Sequence, residues 1–214
     1  TPDYSSAASD VYKRQLSRQA IVSLTYLLMN NILFDFGGVT SVTAYAIVSR
    51  MLMFALFPIF GITQGFIPVA GYNYGANNYA RVKQSISIAV RYSIILSTLI
   101  FVVLFSIPEQ ITKIFTTDIS VIEKTPSALR WVFAATPIIS VQLIGAAYFQ
   151  AVGKALPGLL LTLSRQAFFF IPLIFILPLY YGELGVWIAF PVSDLLSTFL
   201  TAYFLRKEIS QKLK

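Results

Sequence analysis

Six stretches of this chain are each long and apolar enough to cross a bilayer, and little polar sequence is left between them to build anything else. A span needs about 20 mostly apolar residues to cross a hydrocarbon core of about 30 Å. Residues 16–36, 41–70, 85–107, 127–152, 155–181 and 183–205 each meet that need. Lipid offers no water to bond exposed N–H and C=O groups, so these runs must be helical. The expectation is an all-α membrane protein: a bundle of six transmembrane helices over 16–205, followed by a basic tail at 206–214. Composition agrees, because 57% of residues are hydrophobic and only 12% charged, where a globular domain carries about 25% charged residues.

Charge placement sets the orientation. Alternating sides, one face collects Lys13, Arg14, Arg18, Arg81, Lys83, Lys154, Arg206, Lys207, Lys212 and Lys214, while the other has Lys113 and Lys124 beside Glu109, Asp118 and Glu123. Ten cations against two put both termini in the cytoplasm of a plasma (inner) membrane by the positive-inside rule. The net charge of +7 therefore describes topology and not a nucleic-acid surface. Tyr180, Tyr181 and Trp187 near the outer face, and Tyr72, Tyr74 and Tyr79 near the inner, read as interfacial anchors. The mixed-charge connection 108–126 reads as a short amphipathic helix lying on the outer surface. Residues 1–15, TPDYSSAASDVYKRQ, have no signal-peptide apolar core and break off abruptly at Leu16, so they read as a non-native or linker segment outside the fold.

Absences narrow the function. With no Cys and no His, thiol nucleophiles, disulfides, histidine acid–base chemistry and Cys/His metal sites are all removed. The nearest approach to a phosphate loop, GAAYFQAVGKA, lacks the four-residue gap and the Ser/Thr after Lys. Two facing aspartates would be needed for an intramembrane protease, but Asp35 lies near the outer rim and Asp194 at mid-span. The chain reads as a non-enzyme with no cofactor and no metal site.

The second span contains its own signals. Pro58 and Pro68 each remove a helix donor and crowd the preceding turn, so both read as hinges, as does Pro191 in the last span. Gly61, Gly65, Gly71 and Gly75 stand at a four-residue spacing broken once, the pattern of a helix face built for close approach.

Three blocks resemble one family. QGFIPVAGYNYGANNYARVKQ at 64–84, YFQAVGKALPGLLLTLSRQAFFFIPLIFILP at 148–178 and GVWIAFPVSDLLSTFLTAYF at 185–204 are similar, in order and spacing, to the second lobe of the multidrug and toxic compound extrusion (MATE) family. The resemblance covers 16–205 and implies one six-helix lobe of a twelve-helix transporter. It further implies a secondary active antiporter that expels amphipathic or cationic drugs and toxins by alternating access, coupled to Na+ or H+, with a first lobe as partner. It makes GYNYGANNYARVK the link between the second and third spans of the lobe and not a binding loop. Two other readings stay open: a lipid-linked oligosaccharide flippase of the same superfamily, which would favour a large cationic cavity, and an inert half without transport activity.

Ionisable groups inside spans are costly and face a cavity or each other. Arg165 and Asp194 lie at matching depth on the antiparallel fifth and sixth spans, so they read as an ion pair that either fixes packing or takes part in gating or ion coupling. Arg50 reads as a competitor for Asp194 or a partner of Asp35, and Asp35 as a solvated mouth residue or cation ligand. Arg91 and Arg130 are near enough to helix ends to snorkel. Asn30, Asn31, Tyr45, Gln64, Gln142, Tyr148 and Gln150 are the polar groups read as lining a small-molecule cavity or bonding between helices. Some bacterial members of the family use acids in the first and fourth helices of this lobe, but SLTYLLMNN and TPIISVQLIGAAYFQ contain none. A coupling carboxylate then falls to the first lobe.

Overall fold

The computed structural model describes residues 4–212, with side chains described at Leu16 and from Gln19 onward. The reading of residues 1–15 lies outside the described side chains. Helix α1 is traced over Tyr4–Gly75, α2 over Tyr79–Ser106, α3 over Pro108–Phe115 and α4 over Ile119–Phe133. Helix α5 follows over Thr136–Ala151, then α6 over Ala155–Leu163, a π-helical segment over Ser164–Phe170, α7 over Ile171–Tyr181 and α8 over Glu183–Lys212.

The apolar stretch Gln19–Gly75 of α1 is 57 residues long, roughly 85 Å if straight at about 1.5 Å per residue, far more than a bilayer needs. It reverses at Gly38, whose φ of 66° and ψ of −163° break the helix. The reversal brings the rings of Tyr26 and Tyr45 within 5.8 Å, which a continuous helix would hold on the order of 28 Å apart. Gly38 adopts backbone angles almost closed to residues with a Cβ. Gly38→Ala is expected to cost about 1–3 kcal/mol, read as a lower thermal midpoint in detergent.

Helices α4 and α5 meet at a bend of 47°. Pro137 explains the break: it has no N–H to continue the α4 ladder but fits the first turn of a new helix. The two arms of α1, this bent pair, α2, the α6–π–α7 run and α8 make six mostly apolar helical rods among the described residues. The bend falls at Pro137, while the chain keeps helical dihedrals through Pro58 and Pro68, and Gly38 is the residue of α1 that leaves them. Pro191 likewise sits inside continuous α8. The hinge expected at these three prolines is thus not a break in the helix.

The outer connection is also divided differently. Helix α3 takes only 108–115, and α4 starts at Ile119, because Asp118 caps it by accepting from the Ser120 N–H at 2.9 Å. Many buried hydroxyls turn back on their own helix: Thr25, Thr63 and Thr125 donate to the carbonyls of Ile21, Ile59 and Val121. That satisfies them without water.

The core lies in two clusters. One gathers Met29, Leu33, Val48, Leu129, Phe133 and Trp187; the other gathers Phe66, Val82, Ile144, Tyr148, Leu161 and Leu205. Outside them Leu27, Phe54, Leu179 and Phe199 are exposed, as a lipid-facing surface requires. Trp187 is therefore a core residue and not the interfacial anchor its position suggested; Tyr180 and Tyr181 remain exposed.

Of the four glycines on the Gly-rich face, Gly71 alone makes a close helix contact. A Cβ on Gly61, Gly65 or Gly75 would meet nothing within 4 Å, and one on Gly71 meets only the Ala151 carbonyl, its oxygen at 2.9 Å. Closer approaches occur off that face, at Gly145 against Thr201 and at Gly185 against the Leu177 backbone, where a Cβ would sit 2.4 and 2.5 Å away.

Candidate functional site

Arg165 leaves the fifth span on the π-helical segment, and its Nε donates to Asp194 Oδ1 at 2.5 Å. A π turn inserts extra backbone and re-aims the side chains around it, a feature common at functional positions. Asp194 is buried on α8, while Arg165 keeps a quarter of its side chain exposed. The guanidinium lines a cavity of about 200 Å³ between the two arms of α1, the π segment and α8. Tyr45, Ser49, Gln166 and Ser193 supply its polar wall, and Phe170 packs at 4.5 Å from Phe190 on the apolar side. The site thus combines aromatic surface, hydroxyls and one cation whose charge is balanced by the carboxylate behind it.

A second depression of about 280 Å³ adjoins it, sharing Tyr26, Tyr45 and Ser49 and adding Asn30 and Arg50. Arg50 is exposed there and pairs with neither Asp194 nor Asp35 among the described residues. Both pairings expected for it are thereby corrected: Arg165 takes Asp194, and Asp35 is exposed near the Gly38 reversal. Asp35 and Asp194 form no joint acid site. Among the described residues no three acidic groups gather to hold a metal ion.

Sequence reasoning missed a polar clip at the end of the bundle where α1 reverses. Glu183, the first residue of α8, pairs with Lys124 of α4 at 2.6 Å and accepts from Ser41 Oγ at 2.8 Å and from Trp187 Nε1 at 3.3 Å. Lys124 also donates to the Gly37 carbonyl at 3.4 Å. One carboxylate so ties the α1 reversal, α4 and α8 together. Its sequence signal was an acid directly after the glycine between the fifth and sixth spans. At the opposite end Lys154 pairs with Glu208, joining the start of α6 to the end of α8.

The MatE family model matches residues 17–176. The chain belongs to the MatE family. The multidrug export protein MepA of Staphylococcus aureus (strain N315) is 24% identical over 193 residues, covering 89% of this chain and 42% of MepA. An outward-facing multidrug resistance MATE family transporter of the MOP superfamily superposes with a TM-score of 0.84 at 21% identity, over 90% of this chain and 44% of that one. The MATE multidrug transporter DinF-BH is 37% identical with a TM-score of 0.80, over 92% of this chain and 44% of its own. The MatE chain thus spans less than half the length of these relatives. It is a multi-pass, all-helical membrane protein.

Not every polar residue of this MatE chain reaches the cavity. Gln142 is buried between helices, its Nε2 donating to the Leu161 carbonyl at 3.1 Å, and Tyr148 is fully buried in the second core cluster. Both are packing residues here. Asn31, Gln64 and Gln150 are exposed away from both depressions. Tyr45, Arg165, Asn30 and Arg50 are the candidates that the fold collects on one side.

Proposed function

We propose that this chain is one six-helix lobe of a secondary active efflux transporter, with the Arg165–Asp194 cavity facing the substrate path. The carrying observation is that cavity: its aromatic and hydroxyl walls suit an amphipathic molecule, and the charges embedded beside it form a pair that joins the fifth and sixth spans. Membership of the MatE family and the multidrug names of MepA and DinF-BH support export of drugs or toxins as the activity. A planar fluorescent dye with a polar edge matches those walls and is a first substrate to try. Because relatives are more than twice as long, the reading includes a first lobe as partner, with both termini on the cytoplasmic side of a plasma membrane. Coupling to Na+ or H+ is part of the same proposal. Arg165 at 2.5 Å already occupies Asp194 and repels a second cation, which favours a coupling acid on the first lobe.

Coexpression with a MATE first lobe, followed by dye efflux from whole cells, tests this. Efflux above that of either half alone is expected, reduced at least tenfold by Asp194→Asn together with Arg165→Gln. No efflux from a well-expressed pair would leave an inert half as the correct reading. Efflux lost in Asp194→Asn but intact in Arg165→Gln would refute a role for the pair.

A further inference from the structure

We infer that the chain binds an anionic phospholipid in a trough between the α6–π segment and the end of α8, apart from the polar cavity. The trough has a volume of about 510 Å³ and an apolar surface, with Pro157, Leu160 and Phe168 on one wall and Leu200 and Phe204 on the other. Ser164, which also lines it, turns its hydroxyl to the Leu161 carbonyl at 2.8 Å. The trough extends over residues 157–168 of the fifth span, roughly 17 Å at about 1.5 Å per residue, close to half of a hydrocarbon core of about 30 Å. That is the depth of one leaflet. A trough with no free polar group, in a membrane-spanning bundle, suits an acyl chain, whereas an amphipathic drug would leave its polar groups unpartnered.

The head group is specified by charge at the trough's mouth. Lys207 follows Phe204 by three residues and Leu200 by seven, so it stands on the same face of α8 as the trough wall. It is exposed and makes no ion pair among the described residues. The nearby acid, Glu208, is already taken by Lys154, the residue before α6. Helix α6 starts there without a side-chain cap, so its first N–H groups add positive potential. The mouth is therefore net positive and matches a phosphodiester with no balancing cation, as in phosphatidylglycerol; the zwitterion phosphatidylcholine brings its own positive charge. The opposite side of the same π segment presents Arg165 to the polar cavity, so a lipid seated in the trough bears on the segment that positions Arg165.

Native mass spectrometry of the chain in detergent, titrated with dioleoyl-phosphatidylglycerol and with dioleoyl-phosphatidylcholine, tests the site without requiring transport. Phosphatidylglycerol is expected to bind at least fivefold more tightly, and Lys207→Gln to remove about fivefold of that affinity. Lys83→Gln, the same charge change in another basic connection, should leave it unchanged. Leu160→Trp, which fills the trough, should weaken both lipids. Equal binding of the two lipids, or equal losses in Lys207→Gln and Lys83→Gln, would overturn the proposal by showing only bulk solvation or diffuse attraction.

Discussion

Asp194→Leu is expected to destabilise the bundle by about 2–3 kcal/mol, while the double variant Arg165→Met/Asp194→Leu costs clearly less. Removing one partner of a buried ion pair leaves a charge without compensation, commonly about 3–5 kcal/mol, whereas replacing both by apolar groups of similar size is often neutral. The lower figure applies here because Arg165 keeps 25% of its side chain exposed and can turn toward cavity water. Unfolding of the four species of a double-mutant cycle in lipid micelles, followed by circular dichroism, gives the coupling directly. A double variant no more stable than Asp194→Leu would show that the pair does not hold the fifth span to the sixth.

Gly185→Ala is expected to be at least as damaging, at more than about 3 kcal/mol. The added carbon would sit 2.5 Å from both the carbonyl carbon and the oxygen of Leu177 and 2.7 Å from the nitrogen of Pro178. These are backbone atoms, so no rotamer change relieves the clash. The chain is held there by the reversal at Gly182, with φ 59° and ψ −142°, and by the Gly185 N–H donating to the Gly182 carbonyl at 3.0 Å. Gly61→Ala is the control: its Cβ meets nothing within 4 Å, and the change should be neutral or gain up to about 1 kcal/mol of helix propensity. Equal thermal midpoints for the two variants would contradict the packing described for α7 and α8.

These two glycines show where sequence reasoning stopped. A four-residue glycine spacing marks a helix face able to pack closely, but whether a neighbour lies against it depends on how the helices are arranged. Gly61 and Gly65 had the pattern and no neighbour, while Gly185 had the neighbour and no pattern. Helix breaks followed the same logic. Pro58, Pro68 and Pro137 are equal in sequence, but the helix restarts only at Pro137. The Arg165–Asp194 pair was legible because depth in a membrane can be counted along the chain: two costly charges at one level on adjacent antiparallel rods have strong reason to meet. The clip of Lys124, Ser41 and Trp187 on Glu183 was not, since its members lie on three elements whose rotation about their own axes no local pattern fixes.

By itself the sequence determined the membrane as solvent, the helical class and the shared level of Arg165 and Asp194. Each follows from the cost of bringing backbone and side-chain polarity into hydrocarbon, and that cost is read residue by residue. Only the tertiary structure decided that Arg50 pairs with neither aspartate, that Gln142 and Tyr148 belong to packing, and that Tyr45 and Arg165 share one cavity. Those outcomes depend on helix rotation and on the π turn at Ser164–Phe170, which are set by the summed packing of all the helices against one another.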